Sequence, residues 1–196
     1  MARTQSANYP EIKIALLRTA ARLFARAGYG RTTIGDLTKA SATSRGALYH
    51  YFDSKEAILR DMMVEHVADM ASRVSAAIAL SDAPQQQLHN IIRAMTALNA
   101  VSRNEQIVLM NDLGNLNKAE QLRIRAMQRR IVDMVVTALA DIDKKRRMTR
   151  RNRKAFAMLV LGMINFTYAW YDPAGSVSPR ELAEMAAEIA LHGLAG

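Results

Sequence analysis

The segment Thr32–Leu59 constrains the fold of this chain more than any other part of the sequence. Apolar residues at helical spacing predict one short helix over residues 33–41 and a second over 44–51, joined by a tight turn. A third helix is expected to start at Ser54, because Ser-Lys-Glu is typical of a helix N-terminus. Two short helices around a turn, supported from inside by apolar residues, predict a helix-turn-helix unit.

The rest of the chain shows helical periodicity and contains few helix breakers, with 4 prolines and 9 glycines in 196 residues. Residues 103–117 are less regular, and the basic run 143–153 is expected to begin as a loop. Further helices are predicted over 10–27, 54–80, 85–102, 118–141, 152–171 and 178–194. We therefore expect an all-α fold of about nine helices, with a three-helix head at 1–55 and a larger helical body at 56–196.

The formal net charge of +9 is concentrated in two zones. Residues 1–55 hold 9 Lys/Arg and 3 Asp/Glu, residues 118–154 hold 13 and 4, and the rest of the chain is acidic. Two basic zones on an acidic body favour binding of a polyanion, although solvated helix faces are the alternative. For residues 144–154 the sequence leaves a ligand phosphate, DNA and solvent open.

Several classes of function are disfavoured by what the sequence lacks. It contains no cysteine, which excludes disulfides, thiol catalysis and cysteine-based metal sites. Its four histidines lack metal-binding spacing, and neither a glycine-rich phosphate loop nor a nucleophile elbow occurs. No apolar run is long enough for a signal peptide or a membrane span. We expect a cytoplasmic protein that is not an enzyme, binds no cofactor or metal and does not contact a membrane.

The second short helix carries the side chains that DNA recognition needs. Arg45 can bridge O6 and N7 of guanine, and the small Gly46 and Ala47 allow the backbone to approach the bases. Hydroxyl, imidazole and ammonium groups nearby can donate to phosphates. The predicted DNA-binding residues are Thr33, Ser44, Arg45, Gly46, Ala47, Tyr49, His50 and Lys55. The alternative is a helical hairpin that only packs against its neighbours, and Tyr51 is as compatible with the core as with DNA.

In order and spacing, the elements Thr32-Thr33, Ser44-Arg45-Gly46, Leu48-Tyr49-His50-Tyr51-Phe52 and Ser54-Lys55-Glu56 closely resemble the motif of tetracycline-repressor-like (TetR/AcrR) transcription regulators. One departure is Ala42, which replaces the usual turn glycine and predicts a different or strained turn. The resemblance implies a ligand-responsive regulator, most often a repressor, that binds a palindromic operator of double-stranded DNA as a homodimer. Its heads would read half-sites about one helical turn, or a multiple of it, apart.

The same resemblance assigns the last two helices to dimerisation, through a four-helix bundle formed with their copies. An apolar stripe runs along both helices, and an intramolecular core is the alternative explanation. The predicted dimerisation residues are Phe156, Leu159, Met163, Trp170, Leu182, Met185 and Ile189.

The C-terminal part is similar to the branch of the family that controls steroid, fatty-acid and aromatic-acid degradation, several members of which respond to acyl-CoA thioesters. We therefore expect a small hydrophobic effector, with an acyl-CoA thioester as the candidate. Methionines suit an adaptable apolar pocket, and arginines suit coenzyme A phosphates. The predicted ligand-binding residues are Met95, Met110, Arg123, Met127, Arg130, Met134, Phe166 and Trp170. The alternatives are a drug-efflux regulator that responds to hydrophobic drugs and a nonspecific architectural DNA-binding protein.

Overall fold

The computed structural model describes residues 8–143 and 147–195, and all regular structure in these residues is helical. The helices are α1 (Tyr9–Ala27), α2 (Ile34–Ala40), α3 (Arg45–Tyr51), α4 (Lys55–Ala79), α5 (Pro84–Val101), α6 (Arg103–Asp112), α7 (Lys118–Ala140), α8 (Arg153–Asn165), α9 (Thr167–Trp170) and α10 (Pro179–Ala195). A 3-10 turn, Leu113–Asn115, follows α6. The all-α prediction is confirmed. None of the described helices is long and apolar enough to cross a bilayer.

Polar side chains cap the start of five of the ten described α-helices. In each case the side-chain oxygen of the residue before the helix accepts a hydrogen bond from a backbone N–H in the first turn, which would otherwise lack a partner. The capping residues are Thr33 for α2, Ser44 for α3, Ser54 for α4, Asn117 for α7 and Ser178 for α10. The sequence therefore predicts most helix starts to within one residue.

The structure corrects the sequence-based prediction in two places. Residues 103–112 form a helix, because Gln106, Val108 and Leu109 are buried although the segment is polar overall. The helix predicted over 152–171 is broken after Asn165, and the Ile164 carbonyl at this break accepts hydrogen bonds from side chains. Polar composition conceals the first feature, and the second depends on a contact between distant parts of the chain.

The buried apolar residues of the predicted head and body form one continuous cluster, and α4 contributes to both parts of it. In the head, Leu37, Leu48 and Phe52 pack under α1. In the body, α4 packs against α5 and α7, while α8 covers α7 and α10 covers α5. Because α4 runs without interruption from the end of the head into the body core, it mechanically links the two parts.

Candidate nucleic-acid interface and ligand cavity

Helix α3 presents one face to solvent and anchors the other in the head. Leu48 is buried within α3, and Phe52 is buried directly after it. The predicted contact residues of this helix lie on the outer side and are all exposed: Ser44, Arg45, Gly46, Ala47, Tyr49 and His50. An isolated helix of seven residues would not be stable, so the packing of Leu48 and Phe52 holds this surface in place.

The outer residues of α3 are free to meet a partner to different degrees. The Ser44 hydroxyl oxygen accepts from Ala47 N at 3.1 Å, which leaves its O–H available as a donor. The His50 ring meets the Tyr9 ring edge-on at 5.9 Å, and Tyr51 stacks on Tyr9 at 4.7 Å. Tyr51 therefore packs against α1, which decides the choice left open by the sequence in favour of packing.

Two predicted phosphate contacts already have intramolecular hydrogen-bond partners. The Thr33 hydroxyl donates to Asp36 Oδ2 at 2.7 Å as part of a reciprocal cap, so its proton is already in use beside a carboxylate. The Lys55 ammonium donates to the carbonyl oxygens of Tyr29 and Thr32, each at 2.9 Å, and lies 4.3 Å from the Tyr29 ring centroid. Phosphate contact by Thr33 and Lys55 stays a prediction, and these bonds compete with it because capping and loop anchoring use the same polar groups that a phosphate would need.

The turn between α2 and α3 contains the expected strain. Ala42 has φ 51°, and among the described residues it is the only non-glycine with a positive φ. Its N–H donates to Lys39 O at 3.4 Å, and Thr43 N donates to Thr38 O at 3.0 Å. These two bonds form a Schellman motif, in which glycine usually occupies the position of Ala42. The turn therefore keeps its usual geometry, but Ala42 adopts the left-handed backbone conformation, which is energetically unfavourable for a residue with a Cβ.

Several polar contacts connect the head to the body. Glu56 Oε1 accepts from the backbone N and the Nδ2 of Asn117, at 3.1 and 3.2 Å, which joins the start of α4 to the start of α7. Lys13 of α1 pairs with Asp61 of α4 at 2.8 Å. Burial works against the charge of Asp61, but hydrogen bonds from Lys13 and Arg60 outweigh it and hold the pKa of this carboxyl below its usual value.

A cavity of about 340 Å³ lies in the body between α4, α5, α6, α7 and α8. Its apolar wall consists of Met70, Met95, Met110, Ile131, Val132, Met158 and Leu161. Its polar wall consists of Arg125, Gln128, Arg129 and Asn165. This combination of an apolar lining and a few polar groups is typical of small-molecule sites.

The structure brings only two of the predicted ligand-binding residues, Met95 and Met110, to this cavity. On α7, the predicted Arg123, Met127, Arg130 and Met134 lie on other faces of the helix, and Arg123, 59% exposed, is 3.6 Å from Glu120 instead. The sequence pattern does not tell which face of α7 turns toward the cavity, because arginines occur all around this helix. Phe166 and Trp170 are exposed on the protein surface.

The predicted dimerisation residues divide into two groups. Phe156 and Met163 are partly buried against the core, and Leu182 is half-buried. Leu159 is 72% exposed and Ile189 is 63% exposed, and Trp170 and Met185 are also largely exposed. Helices α8, α9 and α10 thus present an apolar face, whose members are Leu159, Phe166, Trp170, Met185 and Ile189.

The second basic zone lies partly outside the described residues, because Lys144, Lys145 and Arg146 fall there. Arg147 lies 4.0 Å from Asp143, which also accepts from Met148 N at 2.6 Å. The remaining basic residues of the run are exposed and do not line the cavity: Arg150, Arg151, Arg153 and Lys154.

Comparisons with known proteins agree with this layout. The family model of bacterial regulatory proteins of the tetR family matches residues 16–62, and the model of the tetracyclin repressor-like C-terminal domain matches residues 81–194. The solved structure of a TetR-family transcriptional regulator from Bordetella parapertussis is 37% identical, with a TM-score of 0.86 and coverage of 92% of this chain and 94% of that one.

Two further relatives cover nearly the whole chain. The HTH-type transcriptional repressor KstR2 of Mycolicibacterium smegmatis is 25% identical over 190 residues, which is 91% of this chain and 88% of the relative. The structure of AibR in complex with isovaleryl coenzyme A and operator DNA is 23% identical, with a TM-score of 0.79 and coverage of 91% and 97%. At this identity the likeness to AibR shows the fold alone.

Proposed function

Because the chain belongs to the tetracycline-repressor (TetR) family of bacterial transcription regulators, we propose that it is a repressor that binds a palindromic operator as a homodimer and is released by a small hydrophobic effector. Like its relatives, it is a regulator and not an enzyme. In this proposal it acts in the cytoplasm, on double-stranded operator DNA.

The observation that carries the proposal is the course of helix α4. It begins directly after the α3 helix, with only Phe52–Ser54 between them, and its Met70 lines the cavity. A ligand that changes the position of α4 in the body therefore also changes the position of the head. The effector site and the DNA-binding site are then connected by one helix, α4. Allosteric coupling requires two distinct sites whose states are linked in this way.

The exposed face of α3 supports sequence-specific binding in the major groove. Arg45 is exposed and has no carboxylate partner among the described residues, so its guanidinium is free to contact a base edge. Ser44, Tyr49 and His50 extend this face and can donate to phosphates. We expect the replacement of Arg45 by Ala to cost about 1–3 kcal/mol of operator binding and to relax preference at one base pair.

The cavity favours an effector that is both apolar and anionic. Its wall is rich in methionine, while Arg125 and Arg129 pair with no carboxylate among the described residues. Two cations at an apolar cavity attract a carboxylate or the phosphates of a coenzyme A ester and disfavour a cationic drug. The complex of AibR with isovaleryl coenzyme A gives this chemistry a precedent on the same fold. An acyl-CoA thioester or an apolar carboxylic acid is therefore the effector class that we propose.

Operator binding and release by an effector can both be tested with the purified protein. Duplexes selected from a random library should contain a palindrome, and their affinity should fall steeply as salt rises. Isovaleryl-CoA, octanoyl-CoA, free octanoate and the cationic dye crystal violet are then titrated against the complex. We expect release by the anionic compounds, whereas release by the dye alone would favour a drug-responsive regulator.

Two matched double variants locate the effector. Changing Arg125 and Arg129 to Gln should raise the CoA-ester concentration needed for release by about tenfold or more, since each removes a charge-assisted contact. Changing Arg150 and Arg151 to Gln removes the same charge away from the cavity and should have no such effect. The reverse result would move the phosphate site to the basic run. No operator preference and no release by any compound would point to an architectural DNA-binding protein.

A further inference from the structure

A second concavity, larger than the cavity described above, lies between the C-terminal half of α4, the middle of α5 and the first turns of α10. Its volume is about 720 Å³, and we call it the α10 groove. Its wall is mainly apolar and consists largely of small side chains, which include Ala76, Ala77, Leu80, Ala94, Ala97 and Ala183. A wall of this kind with a few polar groups at its edge is typical of small-molecule sites.

The α10 groove is separate from the cavity of Met95 and Met110, although both use α4 and α5. On α5, Arg93 and Ala97 line the groove, whereas Met95 lines the cavity. On α4, Arg73 lines the groove, whereas Met70 lines the cavity. Among the described residues the two sites share no lining residue, so the groove is not the mouth of the cavity.

Small side chains keep the groove open between the three helices. Ala76 and Ala97 are exposed, and Leu80 at the end of α4 is 75% exposed, so apolar surface in the groove is left in water. Alanine is also common on helix surfaces for its helix propensity, and small residues alone do not indicate a ligand. The charges around the groove do.

Three arginines from three different helices line the groove: Arg73 of α4, Arg93 of α5 and Arg180 of α10. No carboxylate is among the described residues that line it. Beside the groove, Arg73 Nε donates to Asp69 at 2.9 Å, and Arg93 Nε lies 3.8 Å from Glu184, beyond hydrogen-bond distance. Arg180 forms no ion pair with a described residue. The positive charges around the groove therefore outnumber the negative ones.

We infer that the α10 groove is a second small-molecule site, for a ligand with an apolar chain and one anionic end, such as a fatty carboxylate. The chain lies against the alanine wall, and the carboxylate meets the guanidinium groups, whose planar geometry suits it. The inference goes beyond the proposed function and does not depend on the effector assigned to the cavity. A ligand in the groove contacts both α4, which leads to the head, and α10, which carries part of the exposed apolar face.

Methyl groups allow the two sites to be followed separately in one sample. Of the described residues, those that line the groove include alanines and no methionine, and those that line the cavity include methionines and no alanine. Protein labelled with ¹³C at the alanine and methionine methyl groups is titrated with decanoate and, separately, with the cation decyltrimethylammonium. Decanoate should shift the resonances of Ala76, Ala94 and Ala97 to saturation, and the cation should not. Absence of saturable shifts at these alanines up to millimolar decanoate would overturn the inference.

Two variants with matched controls test the location through the Ala76 resonance. Ala97→Phe fills the groove from an exposed position and should weaken decanoate binding by about tenfold or more, whereas Ala119→Phe, at an exposed position of α7, should not. Arg180→Gln should weaken binding by about fivefold, since it removes a charge-assisted contact. Its control is Arg153→Gln, which also removes an exposed arginine from the first turn of a helix. If both groove variants bound decanoate like their controls, the ligand would not lie in the groove.

The possible failures are distinguishable. Shifts of the methionine methyl groups alone would place decanoate in the cavity, so the inference would be wrong and the proposed effector class would stand. Saturable shifts of the groove alanines without operator release by any anionic compound would support the inference and contradict the proposed effector class. Groove shifts with the same midpoint as the methionine shifts, and unchanged in Arg180→Gln, would be an indirect effect of cavity binding and would overturn the inference.

Discussion

At the scale of single residues, the head shows that one set of polar side chains can serve two purposes. Thr33 and Asp36 cap each other at the start of α2, and hydrogen bonds from the Thr33 backbone and side chain keep the pKa of Asp36 below its usual value. Ser44 also caps a helix, yet it accepts its hydrogen bond and keeps its proton free. Sequence alone does not separate these cases, because which atom donates depends on the partner that the fold supplies.

Lys55 provides a direct test of this distinction. Lys55→Met should lower the free energy of unfolding by about 1–2 kcal/mol, because the Tyr29 and Thr32 carbonyls lose a charged donor in a half-buried place. The slope of log affinity against log salt should stay close to that of the wild type. Denaturant unfolding and operator titration at several salt concentrations measure the two quantities.

The control for Lys55 is Lys118→Met, which removes an exposed ammonium at the start of α7 and should change stability by less than about 0.5 kcal/mol. If the slope of log affinity against log salt were smaller in Lys55→Met by about 0.9 for each DNA-bound head, this ammonium would contact a phosphate.

At the scale of elements, periodicity predicted most of the fold, and the failures have physical causes. The apolar stripe of each long helix and the capping residues define the helices of the head and most of those of the body. On α7, however, the sequence analysis predicts Arg123 and Arg130 as ligand-binding residues, whereas Arg125 and Arg129 line the cavity. Which arginines reach the cavity depends on how α7 packs against α4 and α8, and that is tertiary information.

Helix α6 is joined to α4 by a buried polar pair that no sequence pattern revealed. His66 Nε2 lies 2.9 Å from Gln106 Oε1, and both side chains are buried. One helical turn further along, Met70 of α4 and Met110 of α6 line the cavity. The pair therefore ties the two helices together directly beside the proposed effector site.

This pair predicts a dependence of stability on pH. Burial lowers the pKa of His66, and the Gln106 hydrogen bond and the charges of Glu105 and Asp69 only partly oppose it. Below about pH 6.5, the usual histidine value, the unfolded chain binds a proton that the folded chain does not. The stabilisation by neutral His66 is therefore complete above that pH and is lost as the pH falls toward the folded-state pKa.

We expect His66→Gln to weaken the loss of stability between about pH 6.5 and 5.5, as measured by denaturant unfolding at a series of pH values. Measurements at pH 8, where His66 is neutral in both states, isolate the effect of the altered hydrogen bond and serve as the reference. An identical pH dependence in the variant and the wild type would show that another group is responsible.

At the scale of the whole molecule, the exposed apolar face of α8–α10 is a feature that is unusual for a monomeric protein. Leu159, Trp170, Met185 and Ile189 leave a large hydrophobic surface in water, and such surfaces mark interaction sites. A twofold dimer through this face would bury it and would place two heads for two half-sites, as the proposed function needs.

Charges introduced on this face should break the dimer. The double variant Leu159→Asp with Ile189→Asp should sediment as a monomer at micromolar concentration, because burying two unpaired carboxylates in the interface is strongly unfavourable. Its operator affinity should fall together with dimerisation, since each head then binds alone. Sedimentation velocity and operator titration provide the two readings.

Leu80→Asp is the matched control, because Leu80 is 75% exposed but lies at the end of α4, outside the apolar face. It should remain dimeric. If both proteins behaved alike, or if the double variant stayed a dimer, the interface would have to lie elsewhere on the surface.

The uninterrupted course of α4 also determines how far the head moves when the helix tilts in the body. Fifteen residues separate Lys55 from Met70, which at ~1.5 Å per residue makes a lever of ~22 Å between the cavity and the head. Each degree of tilt about Met70 then moves the start of α4 by ~0.4 Å, so a rotation of ~8° shifts a head by ~3 Å. In a symmetric pair both heads would shift, so a tilt of a few degrees in α4 would change the distance between the heads relative to a fixed DNA spacing.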